Sequence, residues 1–160
     1  MSLQKPALDP KTLAPRTGSG YPEPYRSRVL PREKRALGDA LGLTKIGINH
    51  TTLMPGKESS MRHWHTREDE FVYVLSGEVV VKTDAGEQLL TAGTCAGFPA
   101  SADGRTGDGH QLINRGTVPA VYLEISNREA GDQAFYPDVD LVYHGDDAPA
   151  MYTRRDGSTF

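Results

Sequence analysis

The chain has 160 residues and a mass of 17.4 kDa, which favours one domain built around a single hydrophobic core. Its net charge of -3 argues against a nucleic-acid-binding surface, because such surfaces are usually basic. No apolar run approaches the ~20 residues of a membrane span, and no apolar leader follows Met1, so we expect a cytoplasmic protein without membrane contacts. Cys95 is the single cysteine, so we expect no disulfides within the chain, and the charge leads us to expect no nucleic-acid partner.

Residues 1–40 are predicted to form an irregular arm that packs on the rest of the domain or on a partner subunit. Six prolines fall within the first 31 residues and interrupt any regular element there. Segment 31–38 fits one short helical turn, because a proline stands at its first position and a glycine at its end.

Residues 41–130 read as a series of short strands separated by turn residues. Ile46, Ile48 and His50 share one strand face, which we expect to point inward, so that His50 could line a cavity. Segment 71–75 is apolar on both faces, and both faces therefore need cover. Closely spaced strands without a long helix favour an all-β sandwich or barrel, followed by a polar tail at residues 131–160.

Three histidines and one glutamate stand at spacings that suit metal binding. His63 and His65 are two residues apart, so on a strand both imidazoles project from the same face. Glu70 follows after a short turn, and His110 precedes a later strand. Three imidazoles and one carboxylate suit one divalent transition metal ion (Zn, Mn, Fe or Ni), with about two positions left for water or substrate.

These residues belong to two longer patterns. The patterned residues are Gly56, His63, His65, Glu70, Gly77, Gly93, Pro99, His110 and Asn114. The set resembles the two motifs of the cupin superfamily, except for one extra residue before His63 and a longer segment, 100–109, before His110. The resemblance implies the cupin fold, an all-β double-stranded β-helix or jelly-roll barrel, with His63, His65, Glu70 and His110 as ligands of the metal ion.

The inserted segment 100–109 is expected to form a flexible loop at the mouth of the site. Gly104, Gly107 and Gly109 lower the cost of unusual backbone angles there. Arg105 is the only cation of the segment, so the loop could act as a gate in which Arg105 meets an anionic substrate.

Segments 62–65, 68–75 and 136–141 are similar to those of small single-domain bacterial cupins that commonly bear the name sugar phosphate isomerase. The resemblance implies a metal-dependent isomerase of a sugar phosphate or similar hydroxy-carbonyl compound, with a small-molecule substrate that could be anionic. Two alternatives stay open. One is a non-haem metal dioxygenase or lyase acting on a small organic substrate, and the other is a non-catalytic ligand-sensing or storage protein.

Segment 120–126 has a polar face with Tyr122 and Glu124 and an apolar face, and either face could point inward. If the polar face lines the cavity, Glu124 and Tyr122 are the candidate catalytic residues for proton transfer. Lys57, Arg62 and Lys82 could hold a phosphate, although a solvated surface charge is the usual role of such residues.

Two further expectations concern surfaces. Cys95 is expected to be a buried structural thiol, because free cysteines are usually buried. Phe71, Tyr73 and Leu75 alternate away from Glu70, and a second subunit is a good candidate to cover their face, so we predict a homodimer.

Overall fold

Antiparallel strands dominate the computed structural model, which describes residues 3–103, 105–145 and 151–160. The strands, in chain order, are β1 Arg32–Ala36, β2 Ile46–Leu53, β3 Trp64–His65, β4 Glu70–Ser76, β5 Glu78–Thr83, β6 Gly86–Thr91, β7 Cys95–Phe98, β8 Gln111–Ile113, β9 Ala120–Asn127, β10 Gln133–Phe135, β11 Val142–His144 and β12 Tyr152–Thr153. The predicted all-β fold is confirmed.

Helical structure in the described residues is limited to three short segments. They are a 3-10 helix at Pro10–Thr12 and two α-helices, α1 Tyr25–Val29 and α2 Leu37–Leu41. None of these described helices is long and apolar enough to cross a membrane.

The strands form three sheets around one cavity. The largest has five strands in the order β1-β2-β9-β4-β7, and the others run β12-β11-β10-β3 and β6-β5-β8. Gly77 makes the tight turn from β4 into β5 at a φ of 71°, and a Cβ there would lie 2.9 Å from the Pro119 carbonyl oxygen, so glycine is required.

Two apolar clusters hold the sheets together. The first joins the five-stranded to the three-stranded sheet and consists of Leu53, Val72, Val74, Val79, Val81, Leu90, Leu112, Ala120 and Tyr122. The second ties the N-terminal arm to the four-stranded sheet and consists of Tyr21, Val29, Met61, Ala134, Tyr136 and Leu141. Each large apolar side chain buried in this way stabilises the fold by about 1.5–3 kcal/mol.

Segment 31–38 does not form the helical turn expected from its proline and glycine. Residues 32–36 form β1 instead, which pairs with β2 from Arg32 opposite Leu53 to Ala36 opposite Asn49. Pairing with a sheet edge satisfies the backbone groups of the segment and overrides its weak local preference. Since opposed residues of antiparallel strands share a face, Arg32 lies on the same side of the sheet as the fully buried Leu53.

Both ends of the chain contribute strands to this architecture. The arm supplies β1, and the tail supplies β10, β11 and β12, which extend β3 into a four-stranded sheet. The division into arm, barrel and tail at residues 40 and 130 stays a prediction.

Candidate metal centre and its cavity

A two-way backbone bridge holds His63 and His110 side by side. The His63 N–H donates to the His110 carbonyl at 3.1 Å, and the His110 N–H donates to the His63 carbonyl at 2.8 Å. Their ring centroids lie 4.7 Å apart. The His110 ring also stacks on Phe98 with a centroid distance of 3.7 Å, so its orientation is fixed.

Hydrogen bonds on the far side of two rings determine which nitrogen faces the centre. The Nδ1 of His63 lies 2.9 Å from the Met61 carbonyl oxygen, and the Nδ1 of His65 lies 2.5 Å from the Asp132 carboxylate. Because a carbonyl and a carboxylate only accept, both Nδ1 atoms donate. The Nε2 atoms of His63 and His65 therefore carry the lone pairs, as metal ligation requires.

Three imidazoles converge on one oxygen of Glu70, the first residue of β4. The distance from Glu70 Oε2 to Nε2 is 2.8 Å for His110, 3.4 Å for His65 and 3.5 Å for His63. Among the described residues, this buried oxygen nevertheless has no hydrogen-bond donor at acceptable geometry. The structure thus brings together all four residues that the sequence singles out.

The donor set fits a cation. When both rings are neutral, the lone-pair nitrogens of His63 and His65 face a carboxylate oxygen, and a positive ion among these atoms would be stabilised by all three. Nitrogen and oxygen donors of this kind suit a divalent transition metal ion. We therefore regard His63, His65, Glu70 and His110 as a candidate metal centre.

The direction of the pKa shifts at Glu70 and His110 agrees with metal binding. Burial raises the pKa of Glu70, but the adjacent imidazoles of His110 and His63 outweigh burial and hold its pKa well below the usual range. Burial lowers the pKa of His110, which favours the neutral ring that binds metals. Burial also acts to lower the pKa of His65, but the hydrogen bond to Asp132 outweighs it and the pKa is raised.

The centre opens into a cavity of about 370 Å³. His63, His65, Glu70 and His110 all line it. The arm contributes Tyr21, Arg32 and Lys34, and the tail contributes Tyr143 and Tyr152. A volume of this size accommodates a small organic molecule.

The polar face of β9 points inward. Glu124 lines the cavity, and its carboxylate lies 2.7 Å from the Lys34 Nζ. Tyr122 is fully buried on the same face, and burial raises the pKa of its hydroxyl well above the usual range. Both candidate catalytic side chains thus lie on the inward side of β9, but among the described residues only Glu124 lines the cavity, whereas Tyr122 packs in the first apolar cluster.

The three cations considered as phosphate holders lie elsewhere. Arg62 donates two hydrogen bonds to Asp138, at 2.9 and 2.7 Å, and also contacts Asp84. Lys82 lies 3.8 Å from the Asp138 carboxylate, and the Lys57 Nζ donates to the Ser27 carbonyl at 3.2 Å. None of them is among the described residues that line the cavity, so the structure does not bring them to a phosphate there.

His50 and Cys95 also differ from expectation. The inward face of β2 carries Thr51 and Leu53, both fully buried, which leaves His50 on the outward face opposite Leu123. Cys95 is exposed rather than buried, and it pairs with Tyr73 on the outer side of the sheet.

The described part of segment 100–109 is tied to the outside of the barrel. The Ser101 N–H donates to the His65 carbonyl at 2.9 Å, and Gly107 packs against the Trp64 ring. Arg105 is not among the described residues that line the cavity, and Gly104 lies outside the described residues. The structure therefore does not bring Arg105 to the site as a gate would require.

Several residues of the site escaped the sequence analysis. Arg32 and Lys34 lie in a segment whose proline and glycine predict a helical turn. Their spacing of two residues is the signal of a strand with two inward cations. Asp132 lies 67 residues after its partner His65, and no local pattern joins the two.

The comparisons with known proteins agree with this architecture. Residues 49–126 match the family model described as Cupin domain. A sugar phosphate isomerase from a cupin superfamily, from Silicibacter pomeroyi, is 39% identical, with 97% of this chain and 96% of that chain covered and a TM-score of 0.89. The chain belongs to the cupin superfamily. A provisionally named sugar phosphate isomerase from Acidithiobacillus ferrooxidans is 32% identical over 77% of this cupin and 76% of that chain, with a TM-score of 0.68.

A curated relative covers less of the chain. The tetracenomycin polyketide synthase protein TcmJ of Streptomyces glaucescens is 34% identical over 88 residues, which is 54% of this chain and 54% of TcmJ. The cupin thus spans about half the length of the curated relative that it matches.

Proposed function

We propose that this cupin is a metal-dependent isomerase of a sugar phosphate or a similar hydroxy-carbonyl compound. The observation that carries the proposal is the convergence of three imidazole Nε2 atoms on Glu70 Oε2 at the wall of a polar cavity. The proposed ligands of one divalent metal ion are His63, His65, Glu70 and His110. The names of the two similar structures support the choice of reaction.

A divalent ion at this centre would supply Lewis-acid stabilisation of negative charge on a substrate oxygen. Glu124, held by Lys34, takes the proton from the carbon that bears the hydroxyl group and returns it to the neighbouring carbonyl carbon. The hydroxyl hydrogen moves to the former carbonyl oxygen. Substrate and product are isomers, so no oxidant or reductant is consumed.

Hydrogen exchange with solvent tests the isomerase proposal. A panel of aldose and ketose phosphates is incubated in D2O with the metal-loaded protein and followed by proton NMR, because a C–H that Glu124 removes is replaced by deuterium. We expect Glu124→Gln to lower the exchange rate by roughly 10²–10⁴-fold. Glu129→Gln, which removes an exposed carboxylate, is the matched control and should exchange at the wild-type rate.

Three outcomes decide between the alternatives. Exchange that depends on Glu124 supports the isomerase. Consumption of a substrate only when O2 is present would favour a dioxygenase and contradict the proposal. Binding of panel compounds without exchange or turnover would favour a ligand-sensing protein.

The metal assignment has its own test. Elemental analysis of protein purified without chelators should find about one divalent ion per chain. His63→Ala with His65→Ala should lose most of it, because two of the four proposed ligands are gone. His50→Ala, which removes an outward histidine, should retain the metal. Metal-free wild-type protein that is not stabilised by any added divalent ion would refute the assignment.

A further inference from the structure

One cation on the cavity wall has no anionic partner among the residues that the structure describes. Arg32 lies on the inward face of β1 and lines the cavity. Its Nη1 donates to the Ser59 carbonyl at 2.6 Å, which is its one side-chain hydrogen bond within the described chain. Its Nε is buried and has no partner there. Since a guanidinium carries five N–H donors, most of those of Arg32 have no protein acceptor.

Three other described cations, Lys34, Arg62 and Arg155, have more complete sets of acceptors or an ionic partner. Lys34, the second cation of the cavity, is neutralised by Glu124 at 2.7 Å. Arg62 donates two hydrogen bonds to Asp138, and one nitrogen of Arg155 donates to three backbone carbonyls. A guanidinium that served only to fasten β1 would be expected to have a comparable set of acceptors. The Nη donors of Arg32 that do not contact Ser59 are therefore available to a ligand in the cavity.

Arg32 lines the same cavity as the four candidate metal ligands. Its acceptor Ser59 precedes Ser60, whose hydroxyl lies 3.2 Å from the Nδ1 of His63. Tyr21 and Tyr152 line the same cavity with ring centroids 5.1 Å apart, and tyrosine hydroxyls can donate further hydrogen bonds.

We propose that Arg32 anchors an oxyanionic group of the substrate, either a phosphate or a carboxylate. The planar fork of a guanidinium matches the oxygens of both groups. The proposal rests on the proposed function for the position of the reacting end, which would lie at the metal centre while Arg32 holds the anionic end.

The charge of the cavity sets a condition on this binding. Three carboxylates, those of Glu68, Glu70 and Glu124, line the wall with only two cations, Arg32 and Lys34. The metal-free wall is therefore net negative when the histidines are neutral, whereas a bound divalent ion makes it net positive. Anions should bind to the metal-loaded protein, and the test must separate binding at Arg32 from binding at the metal alone.

Calorimetric titration of the Ni²⁺-loaded protein makes this separation. The probes are glycerol 3-phosphate, glycerate and glycerol, which lack a reactive carbonyl and differ in the anionic group. We expect glycerol to bind at least about tenfold more weakly than the better anion, and Arg32→Gln to lose that anion's affinity by about tenfold or more. Arg32→Lys keeps the charge and should lose less, and Arg26→Gln, at an exposed arginine outside the cavity, should lose nothing.

The two anions identify which group the guanidinium holds, because that anion suffers the larger loss in Arg32→Gln. Equal affinity of Arg32→Gln and wild type for both anions would overturn the proposal and assign anion binding to the metal. Failure of wild type to prefer either anion over glycerol would also overturn it. Circular dichroism monitors folding, and if Arg32→Gln does not fold, a measurable loss in folded Arg32→Lys is required.

These results are distinguishable from a failure of the proposed function. Arg32-dependent anion binding without any hydrogen exchange would leave the anchor standing and remove the isomerase. Hydrogen exchange that depends on Glu124, together with anion binding that does not depend on Arg32, would support the isomerase and refute the anchor.

Discussion

Asp132 is predicted to control the metal affinity through the tautomer of His65. Asp132 is only 3% exposed, and its Oδ1 accepts from Thr66 Oγ1, Arg67 N and Glu68 N. Within the described part of the chain, its Oδ2 accepts from His65 Nδ1 alone. In Asp132→Asn the amide oxygen should take the position with three donors. The amide NH2 then faces Nδ1 of His65, which must become the acceptor and move its proton to Nε2, where the lone pair is needed.

The expected effect follows from the cost of that proton position. Binding the metal with His65 requires either the loss of a buried hydrogen bond or a misplaced ring, which costs about 1–3 kcal/mol or roughly 10- to 100-fold in affinity. Asp132→Ala leaves Nδ1 free to donate to water, so it should bind metal more tightly than Asp132→Asn. Stability should have the opposite order, because Asp132→Asn keeps the three bonds to Oδ1 and leaves no cavity.

Competition with a chromophoric chelator measures the metal dissociation constants, and thermal unfolding of the metal-free proteins measures stability. Glu129→Gln, an exposed carboxylate three residues before Asp132, is the control and should match wild type in both. The visible spectrum of the Co²⁺-loaded variants reports the ligand set at the metal, which a purely structural loss would leave unchanged. Asp132→Asn binding metal as tightly as wild type, or more tightly than Asp132→Ala, would refute the tautomer argument.

Two further predictions concern dimerisation through the exposed face of β4 and the stability of the fold at high pH. Phe71, Tyr73 and Leu75 are 38%, 38% and 43% exposed on one face of β4. We therefore expect a homodimer in sedimentation equilibrium at micromolar concentration and a shift towards monomer in Leu75→Asp. A wild-type protein that sediments only at 17.4 kDa would contradict this prediction. Burial raises the pKa of Tyr21 from 10.0 to about 12, so the folded protein keeps a proton that the unfolded chain loses. The contribution of Tyr21 to the free energy of unfolding is fully present below pH 10, and roughly 2–3 kcal/mol of it is lost as the pH rises to about 12. Denaturant titrations at pH 10 and pH 12 should therefore show a smaller loss of stability in Tyr21→Phe than in wild type. Equal losses in the two proteins would count against this prediction.

The grouping of the candidate metal ligands could be predicted from the sequence because its determinants are local. His63 and His65 share a face through the period of a strand, and one turn brings Glu70 beside them. The all-β fold follows from the same short-range alternation. His110 is joined to this group only by the cupin motif, and the structure shows the physical reason for its position, which is the reciprocal backbone bridge with His63.

The cavity was harder to predict because its determinants are tertiary. The proline and glycine of segment 31–38 favour a helical turn, but the free edge of β2 offers five paired positions, and this pairing prevails. The two faces of β9 could not be ranked, since the usual expectation puts Val121, Leu123 and Ile125 inside. On the inward face Tyr122 packs in the apolar core and Glu124 lines the cavity, where Lys34 neutralises it. The outward apolar face of β9 lies in the same sheet as the exposed Phe71 and Tyr73.

The boundaries of the family match bear on how far a substrate can be inferred from relatives. Residues 49–126 contain all four candidate ligands and Glu124, but neither Arg32, Lys34 nor Asp132. An alignment restricted to this segment therefore compares the candidate ligands and the β9 carboxylate, but it leaves out the part of the wall that would select the far end of a substrate. The relative from Silicibacter pomeroyi covers 97% of the chain and so extends over β1 and β10 as well. If Arg32 anchors the substrate, relatives that carry an arginine opposite the β2 leucine should share the preference for anions, and cupins that match over the barrel alone need not.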